Sequence, residues 1–138
     1  MPTQPDLDAL ILAARTARDN AYAPYSRFFV GAAVLARDGR VFAGCNVENA
    51  SYGLCNCAER TALFAAVAAG CRPGDLTYLA VIGDTEDPIS PCGACRQVMV
   101  ELGGAELTVI QANLSGALIQ TTAAELLPNY FSLVRNPV

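Results

Sequence analysis

The chain is 138 residues long, 53% hydrophobic and 16% charged, with a formal net charge of −4. That length suits one domain with one sizeable core, here taken as residues 1–138. The acidic balance speaks against long nucleic acids, whose binding needs clustered positive charge, and no apolar run reaches the roughly 18 residues of a membrane span.

The segment Met1-Pro2-Thr3-Gln4-Pro5-Asp6 lacks the basic and apolar stretches of a signal peptide, which predicts a cytoplasmic location. Leu7, Leu10, Ile11, Ala14 and Ala17 recur at helical spacing, predicting a helix over 6–22. Tyr22-Ala23-Pro24-Tyr25-Ser26 breaks it. Phe28 to Leu35 and Val41 to Val47 read as strands of a hairpin turning at Asp38-Gly39. A polar loop, 48–56, leads into an alanine-rich helix from Cys57 to Ala69, stopped by Gly70. Tyr78 to Ile82 is a buried strand, and a loop with two prolines follows over 83–91. A further helix is expected over 93–102, then strands over 107–111 and 118–121 and a short helix capped by Thr121 or Thr122. This order predicts a three-layer α/β/α fold with a mixed, mostly parallel sheet of about five strands. The apolar excess predicts a subunit interface.

Six cysteines without a secretory signal favour metal binding or burial over disulfides. Pro91-Cys92-Gly93-Ala94-Cys95 opens a helix, where amides and the dipole favour thiolates. By itself this pair fits a metal site, a redox site or plain burial. Cys57-Ala58-Glu59-Arg60 heads the other internal helix. Mid-helix, positions 57 and 59 would diverge by about 200°. At a helix start both side chains reach the space beyond the helix end. Arg60 falls one turn after Cys57 and can donate to sulfur. Cys57, Cys92 and Cys95 would leave a tetrahedral zinc one open position, the mark of a catalytic site. With no histidine in the chain, three thiolates would leave the ion net negative, an effect that helix N-termini and Arg60 offset. Cys55 rivals Cys57 as a ligand, but only Cys57 has a glutamate two residues on. Cys45 and Cys71 read as core residues.

These two cysteine motifs together resemble the cytidine deaminase superfamily. So do Tyr22-Ala23-Pro24-Tyr25-Ser26, Phe28, Val30-Gly31-Ala32-Ala33, the stretch Gly44-Cys45-Asn46-Val47-Glu48-Asn49-Ala50-Ser51-Tyr52, and Glu125-Leu126-Leu127-Pro128. The likeness is to the short, homotetrameric, free-nucleoside branch with an all-cysteine zinc site. It implies hydrolytic deamination of cytidine and deoxycytidine to uridine and deoxyuridine with release of ammonia, and one zinc per chain. Glu59 would move the protons, as the general account of zinc deaminases describes. The resemblance also implies that Asn46 and Glu48 bind the ribose hydroxyls and that Phe28 stacks on the pyrimidine. Ala58 would offer its N–H to the base carbonyl, and Tyr52 and Phe131 would line a pocket from neighbouring subunits. Three other readings compete. A deaminase of another aminopyrimidine compound such as blasticidin is disfavoured by Asn46-Val47-Glu48-Asn49. A polynucleotide-editing enzyme is disfavoured by the acidic charge, and a structural zinc module by the missing fourth ligand.

Overall fold

The structure, a computed structural model, describes residues 5–133. Helix α1 (Leu7–Arg18) is capped by Asp6, whose carboxylate accepts from Ala9 N–H at 3.0 Å. It ends before the predicted boundary because Tyr22 pairs elsewhere: Tyr22 N–H donates to Asn46 O at 3.0 Å. Strands β1 (Val30–Ala36) and β2 (Val41–Cys45) form the predicted hairpin, with Gly39 at φ 93° in its turn. β2 stops short of Val47, which bridges Tyr22 and Asn56 instead. Helix α2 (Ala58–Ala68), β3 (Leu76–Gly83) and α3 (Gly93–Val98) follow. α3 runs on as a π-helical turn, Met99–Gly103, rather than as regular helix. β4 (Thr108–Asn113), β5 (Leu118–Thr122) and α4 (Ala123–Leu126) complete the described chain. Of the two candidate caps it is Thr122 that accepts from Glu125 N–H, at 3.2 Å.

The five strands lie in the order β2-β1-β3-β4-β5. The sheet is mixed, as expected, but mostly antiparallel: only β3 and β4 pair in parallel. The expectation of a mostly parallel sheet is therefore corrected. Its physical source is visible. The connection through α2 does join two strands of the same direction, β2 and β3, but β1 is inserted between them. Each neighbour of β1 is thus antiparallel, and one crossover of two yields a parallel ladder.

Alternation along β1 sorts the core into two layers. Val30, Ala32, Val34 and Ala36 face α2, α3 and the π turn, with Leu63, Leu79 and Met99. Ala33 faces α1 with Leu10, Ala14, Ile82 and Ile110. Each fully buried Leu, Ile or Met contributes about 1.5–3 kcal/mol by leaving water. The helices ride close to the sheet where side chains vanish. A Cβ on Gly31 would overlap Ala14 O of α1, and one on Gly44 would lie 2.5 Å from Ala62 N of α2. No helix among the described residues is long and apolar enough to cross a membrane.

Candidate metal centre and active site

Because β2 and β3 run in the same direction, the helices that follow them start at the same end of the sheet. Ligands in α/β folds gather at such carboxyl ends. Cys57 is the N-cap of α2 and Cys92 the N-cap of α3, both with extended backbone. Their Sγ atoms are 3.8 Å apart. Cys95, in the first turn of α3, completes a cluster in which all three sulfurs lie within 4.8 Å of one another. Among the described residues this is the one group of three or more potential metal ligands of the Cys, His, Asp and Glu type. Cys55, the rival ligand, is turned away, its sulfur accepting from Asn49 N–H at 3.3 Å. Cys71 is buried as expected, and Cys45 is partly buried.

The electrostatics of the cluster favour a cation. Cys57 is pulled down to about 5, chiefly by a hydrogen bond from the Cys95 thiol, with Arg60 and Cys92 adding to it. Cys95 is pushed up for the converse reason, since its proton sits against the Cys57 sulfur. Three sulfurs this close cannot all be thiolates unless a divalent ion balances them. Thiolate donors with one protein ligand missing from a tetrahedron suit zinc. The surroundings already support negative sulfur. Arg60 Nη2 donates to Cys57 Sγ at 3.3 Å, and Cys95 N–H donates to Cys92 Sγ at 3.4 Å. Arg60 Nε is buried without a partner.

Glu59 sits beside the sulfurs in the first turn of α2 and is only 4% exposed. Burial raises its carboxyl to about 7, and the negative charge on Cys57 pushes the same way. Such a group can take up and release a proton near neutral pH. Ala58 is fully buried at the first position of α2, where a backbone N–H has no intrahelical acceptor.

Four of the other expected site residues, Phe28, Asn46, Glu48 and Tyr52, gather around the segment 25–30. Asn46 Nδ2 donates to Phe28 O at 2.7 Å, and its Oδ1 accepts from Val30 N–H at 2.9 Å. Glu48 accepts from Tyr25 and Ser26 N–H at 3.0 and 3.1 Å, and from the Ser26 hydroxyl. The tip of the Phe28 ring approaches Gly83, beside Ile89: a Cβ on Gly83 would meet Phe28 Cζ at 3.6 Å and Ile89 Cδ1 at 2.9 Å. Phe28 thereby borders the loop that leads into Cys92. Tyr52 packs edge-on against Tyr25, with centroids 6.4 Å apart, and stays 77% exposed. Phe131 is 65% exposed, its carbonyl accepting from Gln97 Nε2 at 3.0 Å. The structure brings these two to no contact with the sulfurs of their own chain. Cavities of about 580 and 750 Å³ line α1 and the β1–β2 hairpin, and neither reaches the sulfurs.

Sequence reading missed three residues that shape this end of the sheet. Gln111 Nε2 donates to Ile89 O at 2.9 Å, and Asn113 Nδ2 donates to Thr85 and Glu86 O, so both buried amides hold the loop before Cys92. Their signal was two amides flanking Ala112 in an otherwise apolar strand. The third, Ser26, ends the Tyr22-Ala23-Pro24-Tyr25-Ser26 stretch that carries part of the resemblance, which gave it no task of its own.

Comparison with known proteins agrees with this geometry. The chain matches the family described as cytidine and deoxycytidylate deaminase zinc-binding region over residues 5–111. It is 52% identical over 127 residues to a cytidine deaminase of Sporosarcina psychrophila, covering 92% of each chain. It is 55% identical over 127 residues to one of Halalkalibacterium halodurans, covering 92% of this chain and 95% of that one. A crystal structure of cytidine deaminase from Burkholderia pseudomallei superposes with a TM-score of 0.89 at 63% identity, over 90% of this chain and 98% of that chain.

Proposed function

The chain belongs to the family of cytidine and deoxycytidylate deaminases, and from that premise we propose that it hydrolyses cytidine and deoxycytidine to uridine and deoxyuridine with release of ammonia. The observation that carries this reading is a buried glutamate set against three clustered sulfurs at the starts of two helices.

Cys57, Cys92 and Cys95 would hold zinc, which when bound supplies a Lewis acid that acidifies water. The remaining steps fall to the chain's own groups. Glu59 takes a proton from the attacking water and delivers it to N3 of the pyrimidine. Water oxygen adds to C4. Glu59 then takes the proton of the new C4 hydroxyl and hands it to the amine; the C4–N bond breaks, ammonia leaves and the C4 carbonyl forms, so one carboxylate serves as base and acid in turn. A carboxyl raised towards neutrality is suited to that double task. Arg60 neutralises thiolate charge from behind the sulfurs. Ala58 N–H is available to the base carbonyl, Phe28 offers a face to the ring, and Asn46 and Glu48 read the sugar.

We further read the assembly as a homotetramer with shared sites. Tyr52, Leu54, Phe131 and Leu133 are each at least 65% exposed, a heavy load of apolar surface for a lone chain. The sulfurs also line none of the cavities of about 580, 690 and 750 Å³ in the single chain. Sedimentation at micromolar concentration is expected to give about four chains; a fully active monomer would refute this. For the activity itself, cytidine loss followed by ultraviolet absorbance should proceed with the purified protein and stop on chelation. A protein that binds zinc yet leaves cytidine intact removes the proposal.

A further inference from the structure

The site's sugar-reading and base-reading residues are joined by a side chain to which the proposed function gives no task. Ser26 Oγ donates its one hydrogen to Glu48 Oε2 and accepts from Phe28 N–H at 3.0 Å. Asn46 Nδ2 holds the other end of the same residue through Phe28 O at 2.7 Å. Both backbone groups of Phe28 are therefore fixed by side chains. The residue between, Arg27, lies at φ +59°, a left-handed conformation unfavourable for a non-glycine residue. Such a backbone persists only where its surroundings impose it. Here the imposing contacts are the Ser26 hydroxyl and the Arg27 N–H to Ala23 O bond of 2.9 Å.

We propose that Ser26 is a positioning residue for substrate selection, its hydroxyl locking the Glu48 carboxylate to the Phe28 backbone so that a nucleoside is read as one object, sugar and base together. This rests on the reading of Glu48 as a sugar contact and Phe28 as a base contact. A carboxylate whose Oε1 accepts from two backbone amides and whose Oε2 accepts from the Ser26 hydroxyl presents its one remaining lone pair, on Oε2, in a single direction. It meets a sugar hydroxyl without losing further freedom, and a substrate lacking that hydroxyl leaves it unpaired. The expected consequence is discrimination in KM rather than a change in the chemical step.

The test compares cytidine with 2′,3′-dideoxycytidine in the zinc-loaded protein. Ser26→Ala should raise KM for cytidine about tenfold, the size expected from loosening one hydrogen bond to a charged group, and leave kcat within about twofold. KM for the dideoxy compound should barely move, so the preference between the two shrinks. Ser26→Thr keeps the hydroxyl at an exposed position and should restore the preference. Zinc content and melting temperature are followed throughout, so that a loop merely loosened, with both substrates weakened alike, is recognised and overturns the proposal. An unchanged preference in Ser26→Ala, or its equal loss in Ser26→Thr, also overturns it. Glu48→Gln separates the two layers of inference. If that variant loses the preference while Ser26→Ala keeps it, only the role of Ser26 fails. If Glu48→Gln itself keeps the preference, the sugar reading fails and this proposal falls with it.

Discussion

Gly44→Ala should damage the metal centre without touching any residue in it. Gly44 is buried on β2, paired with Ala32 of β1. Its hypothetical Cβ would fall 2.5 Å from Ala62 N, 2.9 Å from Ala58 O and 2.9 Å from Thr61 Cβ, all on α2. Two of these atoms are helix backbone and cannot rotate aside. Restoring ordinary contact at about 3.4 Å requires some 0.9 Å of separation. β2 is held to β1 along a ladder from Gly31–Cys45 to Leu35–Val41, so α2 is the element that yields. α2 carries Cys57 at its cap and Glu59 in its first turn. Overpacking of this kind costs about 1–3 kcal/mol in stability. A misplacement of about 1 Å at reacting groups can cost about 10²-fold in rate. Thermal melting, zinc release to a chromogenic chelator and cytidine turnover on one preparation report all three effects. A lowered melting temperature with parental zinc retention and turnover would mean that the strand moves instead, and would refute the coupling described here.

Glu59→Ala should keep zinc and nucleoside binding yet lose at least the roughly 10²–10⁴-fold that general acid–base catalysis provides; turnover within about threefold of the parent would remove Glu59 as the proton carrier. Arg60→Gln should fold, since the residue contacts sulfur rather than the core of the sheet, but activity should fall and its pH optimum rise as thiolate charge goes unbalanced; kinetics unchanged across pH would reduce Arg60 to a packing role. Metal analysis of Cys57→Ala should show zinc lost and that of Cys55→Ala zinc kept, because only the former's sulfur faces Cys92 and Cys95; the reverse result would exchange the ligand assignment.

Much of this protein was legible along the chain because the signals are local. Helical spacing in α1, the Asp38-Gly39 hairpin and the cap at Thr122 each depend on a few adjacent residues. The Cys92-Gly93-Ala94-Cys95 pair is local too, and a helix start places its sulfurs near amides whatever the rest of the fold does. What one motif could not supply was the third sulfur. Cys55 and Cys57 were distinguished from sequence by the neighbouring glutamate, and in space by Asn49, which draws the Cys55 sulfur away.

The tertiary structure alone decided the relations among distant segments. A crossover sets the direction of the strand it reaches but not which strand will be inserted beside it, so β1 could slip between β2 and β3 and turn a mostly parallel sheet into a mostly antiparallel one. The same shared direction of β2 and β3 brings Cys57 within 3.8 Å of a sulfur 35 residues away. Glu59 is raised towards neutrality by the burial that packing imposes, which no local pattern encodes. Ser26, one polar residue in an exposed loop, gains a role only because the chain folds Glu48 and Phe28 onto either side of its hydroxyl. Local chemistry chose the groups; burial and strand order, which are sums over the whole chain, chose their partners.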